Sequence, residues 1–189
     1  NGVAARAHLF HNRYTHLIDW INSGETDASG SLVWRSVNFG KIKALGVETH
    51  VAFDFKQLLP AQQVLQQLQL GYCFIQQNQH EPAGIRSRYA LEYLKQKFVA
   101  AAQFHVVSLL NLQVNYRFQH RMGQYLDASG AAHHYGSYGL LDAKFLWQAP
   151  RWQAYVEGNN LLNRHYFDVG NVPQPGCWVV AGAAFNIQL

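Results

Sequence analysis

The chain has 189 residues, 49% hydrophobic, 14% aromatic and only 14% charged, with a formal net charge of +4 and a pI near 9.1. That is one domain's length, too apolar for disorder and without an apolar run near the roughly 18 residues of a spanning helix. Cys73 and Cys177 are too few for a disulfide scaffold, there is no zinc-type spacing, and with no Lys/Arg run the positive charge does not point to nucleic acid.

In chain order the apolar residues repeat with period 2, the signature of strands. Residues 5–20 and 32–45 read as extended, and the second continues with Val47, Thr49, Val51, Phe53 and Phe55 opposite Glu48, His50, Ala52 and Asp54. Leu68, Leu70, Tyr72 and Phe74 alternate with Gln69, Gly71 and Cys73; Phe98, Ala100, Ala102, Phe104 and Val106 follow. The clearest stretch sets Leu110, Leu112, Val114, Tyr116 and Phe118 against Asn111, Gln113, Asn115, Arg117 and Gln119. Leu141 to Trp147, Trp152 to Val156, and Val179 to Leu189 complete eight strands. A competing assignment makes the Gln-rich run from Leu58 to Leu68 a short amphipathic helix.

Three connections are short, about 58–63, 107–110 and 149–151, and four are long: 22–31, 77–87, 122–137 and 161–176. They alternate long and short, so an up-and-down sheet carries all its short turns at one end and all its long loops at the other, as outer-membrane barrels do. The Gln- and Asn-rich stripe suits a hydrated lumen, and aromatics near strand ends fit two interfacial girdles: Phe53, Phe55, Phe104, Trp147, Trp152 and Phe185 at the turn end, Tyr72, Phe74, Tyr93, Phe118 and Trp178 at the loop end. Two alternatives stay open: a soluble small β-barrel binding an apolar ligand, and a stand-alone eight-stranded outer-membrane barrel with a structural role.

Several runs resemble the C-terminal part of the barrel of TonB-dependent outer-membrane receptors. Asn38-Phe39-Gly40-Lys41-Ile42-Lys43-Ala44-Leu45-Gly46-Val47-Glu48 is similar to a family strand ending in Gly-Val-Glu; Tyr89 to Phe98 resembles a strand returning from a large outer loop. Gly158-Asn159-Asn160-Leu161-Leu162-Asn163-Arg164-His165-Tyr166 resembles the exit of the penultimate strand, and Pro175-Gly176 opens the last one. Cys177 stands where the family usually has Arg, and Leu189 where it usually ends on an aromatic. The resemblance implies an all-β, antiparallel, up-and-down transmembrane segment of about eight strands from a 22-stranded barrel, with residues 1–189 its C-terminal portion and no plug or TonB-contacting segment. It also implies location in the bacterial outer membrane, no resident cofactor, and energy-dependent uptake of a scarce bulky ligand such as a ferric siderophore, haem or cobalamin. Outer-membrane lipid and that ligand are the implied partners, with the TonB complex reached only through an N-terminal part not in this chain.

Candidate ligand contacts are His133, His134 and Tyr135 in a long loop, because imidazole and phenolate oxygen can ligate iron, and lumen-facing Arg117 and Arg121, which can meet an anionic ligand. Such arginines can instead pair with inward Asp142, Glu157 or Glu48. Parity puts Cys73 on the lumen side and Cys177 on the opposite one, so two free thiols are expected. His105 and Ser108, three apart, face opposite ways on alternating strands, and with no GxSxG or HExxH present no enzyme, catalytic residue or metal site is expected.

Overall fold

The computed structural model describes residues 2–79, 85–87 and 93–185, with residues 39, 40, 79, 86 and 87 described in backbone only. Strands β1 (Val3–Asn22) and β2 (Arg35–Asp54) are followed by a one-turn helix α1 (Phe55–Leu58), then β3 (Leu65–Gln79), β4 (Arg86–Ser87), β5 (Leu94–Val107) and β6 (Leu110–Arg121). A small hairpin, β7 (Gln124–Leu126) and β8 (Ala132–His134), precedes β9 (Tyr138–Gln148), β10 (Trp152–Asn159) and β11 (Trp178–Phe185). Eight long strands form one antiparallel meander in the order β11-β10-β9-β6-β5-β3-β2-β1, with β4 added outside β1. The helical alternative for 58–68 is a correction: the one helical turn, α1, ends where that stretch begins and shares only Leu58 with it. Asp54 caps α1 by accepting from Lys56 N at 3.0 Å, while Leu65 onward, alternating with Gln, goes into the sheet as β3.

The register links one-dimensional alternation to two-dimensional rows. Val3, Phe53, Leu68, Ala102, Val114, Ala143, Gly158 and Val179 are successive cross-strand partners over all eight strands, a row without a polar side chain. The neighbouring row of opposite parity runs Asp54, Gln67, Gln103, Gln113, Lys144, Glu157. Since a slip of one residue would exchange the faces, this register is the one that keeps every apolar row on one side. On the polar face a groove across β1, β2, β3 and β5 is lined by Arg6, His8, Glu48, His50, Cys73 and Lys97.

Almost nothing apolar is enclosed. Among the described residues only Ile42, Ala44, Tyr135, Tyr138 and Leu140 are buried hydrophobics, whereas Leu9 is 83% and Phe185 75% exposed. The accessible surface of 12680 Å² compares with about 9,200 Å² for a soluble monomer of this mass. A soluble barrel would have folded its apolar rows inward; here those rows form one uncovered face, which needs an apolar surrounding. Nor does the sheet close on itself: no pairing joins β11 to β1 among the described residues. β11 has 8 residues and β1 has 20, so closure would leave most of the β1 edge unpaired, against the expectation of a self-contained eight-stranded barrel.

The aromatic girdles are only partly as expected. Trp147 and Trp152 stack at 6.4 Å on the apolar face near the Ala149–Arg151 turn, and Phe185 pairs with Trp152. Trp178 is a correction: it lies opposite Asn159, in the parity of Glu157, and so belongs to the polar face.

The motif residues acquire physical reasons. A Cβ on Gly46 would fall onto the Phe10 ring, which lies across its cross-strand partner, so the Gly of Gly-Val-Glu makes room for an aromatic. Asn160, 4% exposed and at φ 49, donates from Nδ2 to Arg164 O (2.9 Å) and Pro175 O (3.0 Å) and accepts at Oδ1 from Arg164 N. Asn163, at φ 48, accepts from Cys177 N. Asn tolerates the left-handed region and its amide replaces missing backbone partners, which explains Asn at both bends of this exit. The motif stretch Tyr89–Glu92 and the terminal Leu189 lie outside the described residues.

Val114→Lys puts an ammonium in the middle of the apolar rows and is expected to cost about 2–4 kcal/mol in a bilayer, whereas Gln113→Lys on the polar face costs less than about 1 kcal/mol. Urea unfolding of the bilayer-inserted protein, followed by the gel mobility of folded and unfolded forms, checks the contrast. Asn160→Ala removes a buried amide that bonds two carbonyls and one N–H and is expected to destabilise by about 1–3 kcal/mol in the same assay.

Candidate functional site

The loop end of the sheet carries the most densely packed cluster of side chains, built where β6 delivers Arg117, Gln119 and Arg121 in polar parity beside Tyr138 and Leu140 of β9. Above them the 122–137 connection folds into the β7–β8 hairpin, whose tip is Asp127-Ala128-Ser129-Gly130. Asp127 Oδ1 accepts from Ser129 N, Ser129 Oγ and Ala131 N, and Gly130 supplies the φ of 83° that the turn requires. The first long loop repeats this device with Asp27-Ala28-Ser29-Gly30 and the same bonds to Ser29 and Ser31.

The centre of the cluster is Tyr125. Its ring lies 5.6 Å from His133, 5.3 Å from Tyr135 and 4.9 Å from Phe167, centroid to centroid. Phe167 comes from the 160–177 loop, so aromatic stacking joins two loops. Tyr138 and Tyr166 repeat the junction at 4.3 Å. Hydrogen bonds fix it: Gly170 N donates to Tyr135 Oη at 2.8 Å, and Tyr138 Oη lies 3.0 Å from both Gln119 Oε1 and Asp168 Oδ1, which share its one proton. The Arg121 guanidinium is 3.6 Å from Asp168 and 5.8 Å from the centre of the Tyr135 ring.

The five candidate contacts are therefore distributed. Tyr135, 5% exposed, and Arg121 meet inside the cluster. Arg117 enters the same polar row two residues below Gln119. His133 and His134 fall on opposite sides of the hairpin: Nε2 of His133 is 2.8 Å from Asp127 Oδ2, whereas Nε2 of His134 is 3.1 Å from Gln124. One metal ion cannot be held by both rings in that arrangement, and among the described residues no group of three or more His, Cys, Asp or Glu side chains is placed to hold one. The carboxylates that could have paired with the arginines are used elsewhere. Asp142 accepts from Asn160 N, Glu157 pairs with Lys144 at 3.3 Å, and Glu48 Oε1 accepts a hydrogen bond from the Cys73 thiol at 3.8 Å. Among the described residues the buried Nε atoms of Arg117 and Arg121 have no hydrogen-bond partner.

Sequence reading missed Tyr125, Tyr138, Tyr166, Phe167 and Asp168. Their signal was the concentration of rings in and beside the 122–137 and 161–176 connections. Chemically, the cluster offers guanidinium N–H groups beneath flat rings, suited to a planar or anionic ligand.

The TonB dependent receptor-like β-barrel family model matches residues 1–161. No curated protein matches the chain in sequence. Among solved structures, the FrpB iron transporter from Neisseria meningitidis (F3-3 variant) superimposes with a TM-score of 0.67 at 14% identity, over 97% of this chain and 28% of its own. The copper transporter OprC gives 0.67 at 8% identity, over 97% and 28%. The pyoverdine receptor FpvA from Pseudomonas aeruginosa PAO1, bound to pyoverdine, gives 0.64 at 14%, over 98% and 27%. The chain thus spans less than a third of the length of these structures, and at such identities they show the shared fold.

Below the ordinary carboxylate value of 3.8 lies the Asp127 group, lowered first by the Ser129 hydroxyl bond and then by His133. A carboxyl lowered in the folded state stabilises above its unfolded value and loses that contribution as pH falls through the folded one. The amides of Ser129 and Ala131 are therefore expected to keep their hydrogen-exchange protection at about pH 5 and to lose it only well below pH 3.8. Asp127→Asn should raise their exchange several-fold at about pH 5, and the difference from wild type should vanish well below pH 3.8.

Proposed function

The chain belongs to the TonB-dependent receptor family, and on that premise we propose that it forms the C-terminal wall of an outer-membrane receptor barrel. That receptor takes up a bulky ligand, with ferric siderophores favoured over haem and cobalamin, using energy delivered from the inner membrane. The members of this family are transporters and not enzymes, and its barrels are outer-membrane proteins. Strands supply the wall: apolar rows toward lipid, polar rows toward a hydrated lumen, and backbone groups paired along the ladders as a bilayer demands.

The observation that carries the ligand reading is the pair of buried, partnerless Nε atoms on Arg117 and Arg121 beneath the aromatic loop cluster. A buried donor without an acceptor is costly, and an anionic ligand arriving from the loop side supplies one. The structural neighbours include an iron transporter, a copper transporter and a receptor bound to pyoverdine, which supports a metal-containing cargo. Tyr135, with His133 and His134 on the surrounding hairpin, is placed to shape the mouth of such a site. In this reading the histidines act singly.

The test is uptake by iron-starved cells expressing the gene product, offered radiolabelled ferric siderophores, haem and cobalamin in turn. One ferric siderophore should be accumulated, accumulation should stop with a protonophore, and Arg117→Ala/Arg121→Ala should lower it at least about tenfold at limiting ligand, since two charge-assisted bonds are removed. Uptake of none of the three classes, or uptake indifferent to both arginines with normal surface levels, would contradict the proposal.

A further inference from the structure

The 161–176 connection contains a small turn of its own. Phe167 bridges to Pro173, Gln174 N donates to Tyr166 O at 3.0 Å and Val172 N to Val169 O at 3.3 Å, with Gly170 at φ 53 in the bend. Three contacts seat this turn on the cluster without any charge: the Tyr166 ring on Tyr138, the Phe167 ring on Tyr125, and Gly170 N donating to Tyr135 Oη. The fourth contact, through Asp168, is ionic. Its Oδ1 lies 3.0 Å from Tyr138 Oη and 3.6 Å from the Arg121 guanidinium, so one carboxylate oxygen serves both. Among the described ion pairs no other acid meets Arg117 or Arg121.

The ion pair is loose. A separation of 3.6 Å is beyond the roughly 2.7–2.9 Å of a charge-assisted hydrogen bond, and the contact is single where a guanidinium fork can take two oxygens. Both partners keep access to water, the Arg121 side chain at 24% and that of Asp168 at 38%. Departure of the carboxylate would cost the cluster little. Gln119 Oε1, also 3.0 Å from Tyr138 Oη, is in place to accept the whole of the hydroxyl proton, so no buried donor is orphaned, and the three uncharged contacts still hold the turn. We infer that the Asp168 carboxylate is a built-in competitor for the ligand's anion: it takes the Arg121 guanidinium, yields it to an anion able to bond with two oxygens, and turns out toward water. The inference rests on the reading of Arg117 and Arg121 as the anion site, and it adds a filter to that site. A ligand with one weakly charged oxygen does not outcompete a carboxylate already tethered there, whereas a multiply charged chelate with adjacent oxygens does. For every anion, the tethered acid reduces the apparent affinity according to the fraction of time it stays seated.

The test uses outer-membrane vesicles carrying the gene product, phenylglyoxal as a guanidinium reagent and citrate as a multiply charged probe anion, with modification of each arginine counted by peptide mass spectrometry. Asp168→Asn keeps an oxygen for Tyr138 and removes the charge. In it Arg121 should be modified about tenfold faster than in wild type, and citrate should protect Arg121 at about tenfold lower concentration, as expected of a carboxylate seated about nine-tenths of the time. Asp168→Glu should keep the wild-type pattern, and Arg35, paired with Glu25 in another loop, should not change in either variant. Hydrogen exchange at Gly170 should stay at its wild-type rate in Asp168→Asn, because the turn remains seated. Faster exchange there would make Asp168 a structural anchor and overturn the inference, as would a protecting concentration of citrate equal to that of wild type. Protection in neither protein would instead bring down the anion-site reading on which the inference stands.

Discussion

Backbone amides in a hydrocarbon have no water to bond, so each must be satisfied by a neighbouring strand. That constraint organises everything else in this protein. It demands a ladder that continues from β1 to β11 without interruption, and a continuous ladder fixes the register. With period-2 side chains, the register then fixes which face every residue occupies. The eight-residue row from Val3 to Val179, without a polar member, is the direct product. Neither row chemistry nor loop position is independent of the ladder: the sheet holds the polar ends of β6 and β9 side by side, and there the loops converge.

The same constraint explains why the strands were legible in the sequence and the site was not. Leu110 to Gln119 declares its two faces residue by residue, and β6 occupies that stretch; Cys73 likewise takes the polar face that parity assigned. The loop cluster obeys no period. Tyr135 is held by Gly170, 35 positions away, and Tyr138 by Asp168, 30 away, contacts that only the meander brings together. His133 and His134 look like a pair in the sequence because adjacency suggests proximity, yet a strand sends adjacent side chains to opposite sides. The short α1 and the Trp178 reversal have the same origin. Periodicity describes residues inside a ladder and loses force at its ends, where caps and turns take over.

Function follows from what the wall leaves unsatisfied on each side. Inside, Asp142, Glu157 and Glu48 are engaged by Asn160, Lys144 and Cys73, among the described residues Asp168 alone faces Arg121 at 3.6 Å, and the rings of Tyr125, Tyr135 and Phe167 cluster in the loops above. Outside, the apolar rows stop beneath His11, Arg13, Lys41 and Lys43, which form no ion pair among the described residues. Both depend on which face is wet.

The most direct test of the account is therefore a nitroxide scan along β6 of the protein in bilayers, one label at a time from Leu110 to Gln119. Oxygen accessibility should peak at the even positions and accessibility to a water-soluble nickel chelate at the odd ones, the two profiles out of phase with period 2. Profiles in phase, or water access at Leu112 and Val114, would mean that the apolar rows do not face lipid, and the receptor-wall account would be wrong.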